Sequence, residues 1–88
     1  RIGLADEVVA PDALMERSLE LGATLATGAL TGQGICKQAI DEGLSTSLAE
    51  GLLVEIDAFV EVFRTEDSQI GVKSFLENGP GKAEFTGK

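Results

Sequence analysis

The sequence predicts an all-α fold, with four helices near 11–27, 31–42, 48–64 and 66–77 and a short strand ahead of them over 2–9. Three observations carry that expectation. Apolar residues recur at three- and four-residue intervals through most of the chain, which is the helical period. Gly28, Gly43 and Gly79 fall where the periodic runs end, and glycine is the common helix stop. Ser47 and Thr65 stand just before periodic runs, where a side-chain oxygen can cap free backbone N–H groups.

Ile2 to Val9 reads as the strand, with Val8-Val9 its best β-formers. Pro11 suits a helix's first turn, where its missing N–H costs nothing. In the first helix Leu14, Leu21 and Leu25 share a face, beside a small-residue strip of Ser18, Gly22 and Ala26. Glu16, Arg17 and Glu20 lie opposite, and Gly28 stops the run. The second helix is weaker. Ile35, Ala39 and Ile40 are spaced for one face and Gly43 closes it. Gly32 and Gly34 each cost about 1 kcal/mol relative to Ala inside a helix. Its start is expected to fray or to pack closely against something.

The third helix has the strongest signature. Ser47 and Glu50 form an S-x-x-E capping box. Leu48, Leu52, Ile56, Phe59 and Phe63 make one stripe, and Gly51, Val54, Ala58 and Val62 a second. Leu53 and Val60 flank them. Only a narrow strip of Glu50, Asp57, Glu61 and Arg64 is polar. Such a helix is expected to be buried on several sides. The second stripe is expected to meet a partner subunit or a domain outside this chain. In the fourth helix Thr65 caps, and Glu66 and Asp67 suit the positive N-terminal end. Ile70, Phe75 and Leu76 are its apolar contacts, and Asn78-Gly79-Pro80-Gly81 ends it. Residues 82–88 form an aperiodic tail.

The chain has 88 residues, enough for one small domain. A domain of this size buries only about 60–65% of its unfolded surface, so a thin core is expected. The chain starts at Arg1 without a Met and enters an apolar run at once, as expected of a piece cut from a longer protein. It does not read as a signal peptide. No apolar run approaches the roughly 20 residues that span a bilayer. Fifteen acids against seven bases give a net charge of −8, which repels nucleic acids and anionic membranes. Neither is expected as a partner. The single Cys excludes an internal disulfide and a multi-cysteine metal site, and a cytoplasmic location fits.

The carboxylate doublets Asp41-Glu42 and Glu66-Asp67 lie at helix ends, where solvated acids are common, and catalytic use is not expected of them. Glu55 falls between the two apolar stripes. It either snorkels to solvent or is buried and paired, and a hydrogen-bonded brace between helices is its expected role. Cys36, without a nearby His, is expected to be a small buried apolar group. Gly79-Pro80-Gly81-Lys82 lacks the spacing of a phosphate-binding loop and precedes no helix.

Several segments together resemble the C-terminal end of enoyl-CoA hydratases of the crotonase superfamily. They are Gly3-Leu4-Ala5-Asp6-Glu7-Val8-Val9, Glu55 with Phe59 and Phe63, Thr65-Glu66-Asp67, Gly71-Val72, Ser74-Phe75-Leu76-Glu77 and Phe85-Thr86-Gly87-Lys88. Their order and spacing cover nearly the whole chain. The resemblance implies that residues 1–10 are a strand and linker from a catalytic core outside this chain, and that 11–88 are a C-terminal helical oligomerisation domain. It implies a parent that hydrates 2-enoyl-CoA thioesters in fatty acid metabolism. The two glutamates and the oxyanion hole used by the family lie upstream, so no catalytic residue is assigned here and the piece alone is expected to be inactive. In the family the C-terminal helices build trimers, which pair into hexamers, and roof the acyl-CoA site. No permanently bound cofactor is implied; the coenzyme A thioester is the substrate. The resemblance places Phe75 and Lys82 on coenzyme A. The family usually carries a basic residue where Asn78 stands, and Lys82 would supply that charge from downstream. Two alternatives remain open: a related enzyme such as an enoyl-CoA isomerase, and a non-enzymatic helical oligomerisation module.

Overall fold

The computed structural model describes residues 2–88; Arg1, the first residue of the expected strand-and-linker segment, lies outside them. Four α-helices follow in order: α1 (Leu14–Ala26), α2 (Leu30–Leu44), α3 (Leu48–Phe63) and α4 (Glu66–Asn78). The all-α expectation holds. The strand over 2–9 does not: the described residues contain no strand. Ile2, Leu4 and Val8 are each 88% exposed. A strand exists through hydrogen bonds to a neighbour, and this segment has none. The β-propensity of Val8-Val9 cannot replace that pairing.

Pro11 opens a 3-10 turn, Pro11–Ala13, that feeds α1. Arg17 reaches back to Glu7 at 2.8 Å and along the helix to Glu20 at 3.2 Å, tying the irregular N-terminal segment to α1. At the other end, the Gln33 side-chain amide donates to the Leu25 carbonyl at 3.1 Å. A Cβ at Gly28 would meet the end of the flexible Gln33 side chain, which would have to move aside. α2 begins at Leu30 and runs unbroken through Gly32 and Gly34.

α2 and α3 form the main packed pair. Gly43 and Gly51 let the backbones approach, and Ile35 and Ala39 lie beside Val54, Ala58 and Val62 along the seam. This corrects the expectation for the second stripe. Val54, Ala58 and Val62 are half-buried against the chain's own α2 rather than left for a partner. The physical reason is size: small residues on both helices allow close contact, which large side chains would prevent. The first stripe stays open. Phe59, 64% exposed, tilts against Phe63 with ring centroids 4.8 Å apart.

The predicted caps form. Ser47 Oγ accepts from the Glu50 N–H at 3.2 Å and donates to the Glu50 carboxylate at 3.0 Å. Thr65 Oγ1 accepts from the Ser68 N–H at 3.1 Å. Gly79 closes α4 with φ +82°, its N–H donating to the Phe75 carbonyl at 3.0 Å. The molecule is flat, 42 × 39 × 20 Å, and α1 has no appreciable packing on the other α-helices. No apolar residue among those described is buried. The only buried side chain among the described residues is charged, and it belongs to Asp67.

Candidate functional site

Asp67 is 1% exposed and sits in the first turn of α4. Its carboxylate grips the tail. Oδ1 accepts from the Thr86 N–H at 2.6 Å and from the Thr86 hydroxyl at 2.9 Å, and Oδ2 accepts from the Gly87 N–H at 2.8 Å. Asp67's own N–H donates to the Lys88 carbonyl at 2.9 Å. Burial pushes this carboxyl up, but the Thr86 backbone and hydroxyl and the Gly87 and Lys88 backbone groups outweigh it and hold it below its ordinary value. The charge is therefore met by backbone and hydroxyl donors rather than by a cation.

The tail is pinned at further points. Thr31 Oγ1, at the start of α2, donates to the Gly87 carbonyl at 3.0 Å. Leu30 lies against Gly87, where a Cβ would come 3.4 Å from Leu30 Cδ1. The Phe85 ring lies over Gly71 of α4, with Cε1 3.3 Å from where a Cβ would be. An aperiodic segment thus joins the N-terminal ends of α2 and α4.

Phe85 also walls a groove of about 420 Å³ together with Phe75, Ser74 and the Gly79–Gly81 turn. Phe75, in the last turn of α4, is 59% exposed and turns part of its ring into that groove. The hydroxyl of Ser74 is buried there without a hydrogen-bond partner. Lys82 follows the turn. It is exposed, lies off the groove wall and makes no ion pair among the described residues. Phe75 and Lys82 are thus on one end of the molecule, connected by the Gly79–Gly81 turn, but only Phe75 lines the groove.

Other candidates fall elsewhere. Glu55 is exposed and has no hydrogen-bond partner among the described residues, so it snorkels and the expected brace is absent. With Cys36, Ala39 and Leu52 it borders an apolar groove between α2 and α3. Cys36 is exposed rather than buried, because nothing in this chain covers its face of α2. Glu42 accepts from the Gln38 side-chain amide at 2.7 Å, and its neighbour Asp41 is exposed. Glu50 is held below its ordinary value by the Thr46 hydroxyl and then by the Ser47 hydroxyl and backbone, a capping role. Glu42 shares an open groove with Asp57 and Glu61, and all three are exposed.

The sequence model of the enoyl-CoA hydratase/isomerase family matches residues 1–88. The chain belongs to the enoyl-CoA hydratase/isomerase family. Among its relatives is a probable enoyl-CoA hydratase of Rhizobium meliloti (strain 1021), 39% identical over 85 residues, covering 97% of this chain and 32% of that protein. A short-chain-enoyl-CoA hydratase of Clostridium acetobutylicum is 35% identical over 77 residues, 88% of this chain and 30% of the relative. A crotonyl-CoA hydratase of Syntrophomonas wolfei is 32% identical over 88 residues, 100% of this chain and 33% of the relative. The chain spans about a third of the length of these curated relatives. No solved structure matches it significantly. Within this hydratase/isomerase chain, the segments Thr65-Glu66-Asp67 and Phe85-Thr86-Gly87-Lys88 touch. Asp67, Thr86 and Gly87 were missed as a unit because their spacing of 19 and 20 residues follows no helical period. No helix among the described residues is long and apolar enough to cross a membrane.

Proposed function

We propose that this chain is the C-terminal helical part of an enoyl-CoA hydratase that adds water across the double bond of 2-enoyl-CoA thioesters in the cytoplasm. The reading rests above all on the family match, which runs the full length of a chain whose described residues include no buried apolar side chain. Isolated helices need tertiary burial of an apolar face to be stable. The open stripe of Leu48, Leu52, Ile56, Phe59 and Phe63 is the surface that the catalytic domain and neighbouring subunits of a trimer or hexamer cover. The relatives' names favour hydration over double-bond isomerisation.

The chemistry belongs to the rest of the parent, where an acid–base pair and backbone N–H donors stabilise the thioester enolate as charge develops. This segment roofs the acyl-CoA site. Phe75 packs beside coenzyme A through its exposed ring, and Lys82 approaches the phosphates as a cation in an acidic chain. An exposed lysine–phosphate contact is screened by water and salt, so Lys82→Ala raises KM only about two- to fivefold and leaves kcat intact.

The test is the full-length protein with crotonyl-CoA, followed by chromatographic appearance of the 3-hydroxyacyl-CoA and 3-enoyl-CoA products. Steady hydration by the full chain, and none above buffer by residues 1–88 alone, is the expected result. Double-bond migration without hydration would replace this reading with the isomerase, and inertness toward every 2-enoyl-CoA would leave the helical assembly module.

A further inference from the structure

We propose that Asp67 is a positioning residue for coenzyme A, acting through the tail to fix the loop that carries Lys82. The proposal rests on the coenzyme A role given above to Phe75 and Lys82. It adds a residue that touches neither.

The geometry points to it in three steps. Asp67 is the one buried residue among those described, and its carboxylate is used on the tail alone. A carboxylate withdrawn from water must be met by donors, and three well-placed N–H and O–H groups do so. Residues 79–85 are therefore a span held at both ends. One end is the Gly79 N–H on the Phe75 carbonyl, and the other is Thr86 on Asp67. Lys82 sits between these anchors, with no partner of its own to place it. The same clamp sets Phe85 on Gly71, and Phe85 shares the groove wall with Phe75. Releasing Asp67 frees the loop at its distal end, whereas the Phe75 end stays held by α4.

A second feature argues for positioning rather than simple bulk stability. The tail has no helix or strand hydrogen bonds of its own. Its order comes from Asp67, from the Thr31 hydroxyl on the Gly87 carbonyl, and from two contacts at Phe85 and Gly87. Holding an irregular segment in place before binding reduces the ordering cost that binding would otherwise carry.

The experiment uses the full-length protein and two substrates with one acyl group: the coenzyme A thioester and the pantetheine thioester, which lacks the nucleotide phosphates. Asp67→Asn keeps the size and an acceptor but turns a donor toward the Gly87 N–H. It is expected to raise KM for the coenzyme A ester no further than Lys82→Ala does, about two- to fivefold, to leave kcat within about twofold, and to leave KM for the pantetheine ester unchanged. Thr86→Val, which deletes only the hydroxyl donor, should move the same constant the same way by about twofold. The Asp67→Asn/Lys82→Ala pair should be no worse than the more damaging single variant, because both act on one contact.

Equal damage to both esters, or a fall in kcat on both, would show a merely structural acid and overturn the proposal. So would unchanged KM, or losses that add in the double variant. If Asp67→Asn yields no soluble protein, Thr86→Val decides by the same criteria. A neutral Lys82→Ala beside an affected Asp67→Asn would sink the Lys82 assignment and this proposal with it. If the wild type hydrates neither ester, the hydratase reading fails on its own. Calorimetric binding of coenzyme A to the same variants then decides the Asp67 proposal, with a Kd unchanged by Asp67→Asn overturning it.

Discussion

Gly43 and Gly51 meet backbone to backbone where α2 crosses α3. A Cβ built on Gly51 would lie 2.9 Å from the Gly43 carbonyl oxygen and 3.4 Å from the Gly43 Cα. The relation is not symmetric. A Cβ built on Gly43 would meet Gly51 backbone atoms only at 3.8 Å, an ordinary contact.

The asymmetry makes a paired prediction. Alanine is the better helix former by about 1 kcal/mol, so Gly43→Ala should be neutral or stabilising. At Gly51 the same gain is outweighed, because the obstacle is backbone that cannot swing aside. Overpacking of this kind costs about 1–3 kcal/mol. Urea unfolding of the full-length variants checks it, and a Gly51→Ala protein more stable than wild type would show that the helices can part cheaply.

Ser47→Ala should lower stability by about 1 kcal/mol, the usual value of an N-cap. It removes both the acceptor for the Glu50 N–H and the donor to the Glu50 carboxylate. Ser45, which donates to the Asp41 carbonyl at the end of α2, caps no N–H group, so Ser45→Ala is the natural control and should change stability less.

Acid should loosen the tail. The Asp67 carboxyl, pushed up by burial but held lower still by its Thr86, Gly87 and Lys88 donors, has a folded value below its unfolded one. A group of that sign binds its proton less readily when folded. Its contribution is complete above the unfolded value, about pH 4, and disappears as pH falls through the lower folded value. The difference in urea midpoint between wild type and Asp67→Asn should hold at neutral pH and narrow below about pH 4. A gap that is constant down to strongly acid pH would contradict the clamp.

Phe75→Ala separates packing from binding. The ring is more than half exposed in this chain, so the cavity cost expected of a buried Phe does not arise here. The variant should keep its melting temperature within a few degrees while KM for the coenzyme A ester rises. A large loss of melting temperature with an unchanged KM would make Phe75 a structural residue covered by the rest of the parent.

The legible parts of this fold are the local ones. Ser47 and Thr65 announced their helices because a cap and its N–H lie three residues apart. The strand misled because pairing is non-local and Val8-Val9 carry only the propensity. The two apolar stripes of α3 were both visible, but the second, expected to meet a partner, packs on α2. Hydrophobicity alone does not say which face meets α2; the small residues Gly51 and Ala58, matched by Gly43 and Ala39, decide it. Phe75 could be named from its resemblance. Asp67 could not be singled out, because a carboxylate beside Glu66 at a helix start reads as solvated until the tail folds onto it.

Sedimentation velocity of the full-length protein, with charge placed on each stripe of α3 in turn, tests whether the open stripe is the assembly surface. Phe59→Arg adds a cation to the open stripe. Ala58→Arg puts one into the seam with α2, a burial that costs several kcal/mol if left unpaired. Phe59→Arg should stay folded by circular dichroism but fall from a trimer or hexamer to smaller species, whereas Ala58→Arg should lose helix content itself. A folded Phe59→Arg protein that sediments as the wild-type oligomer would contradict the claim that this stripe is the assembly surface.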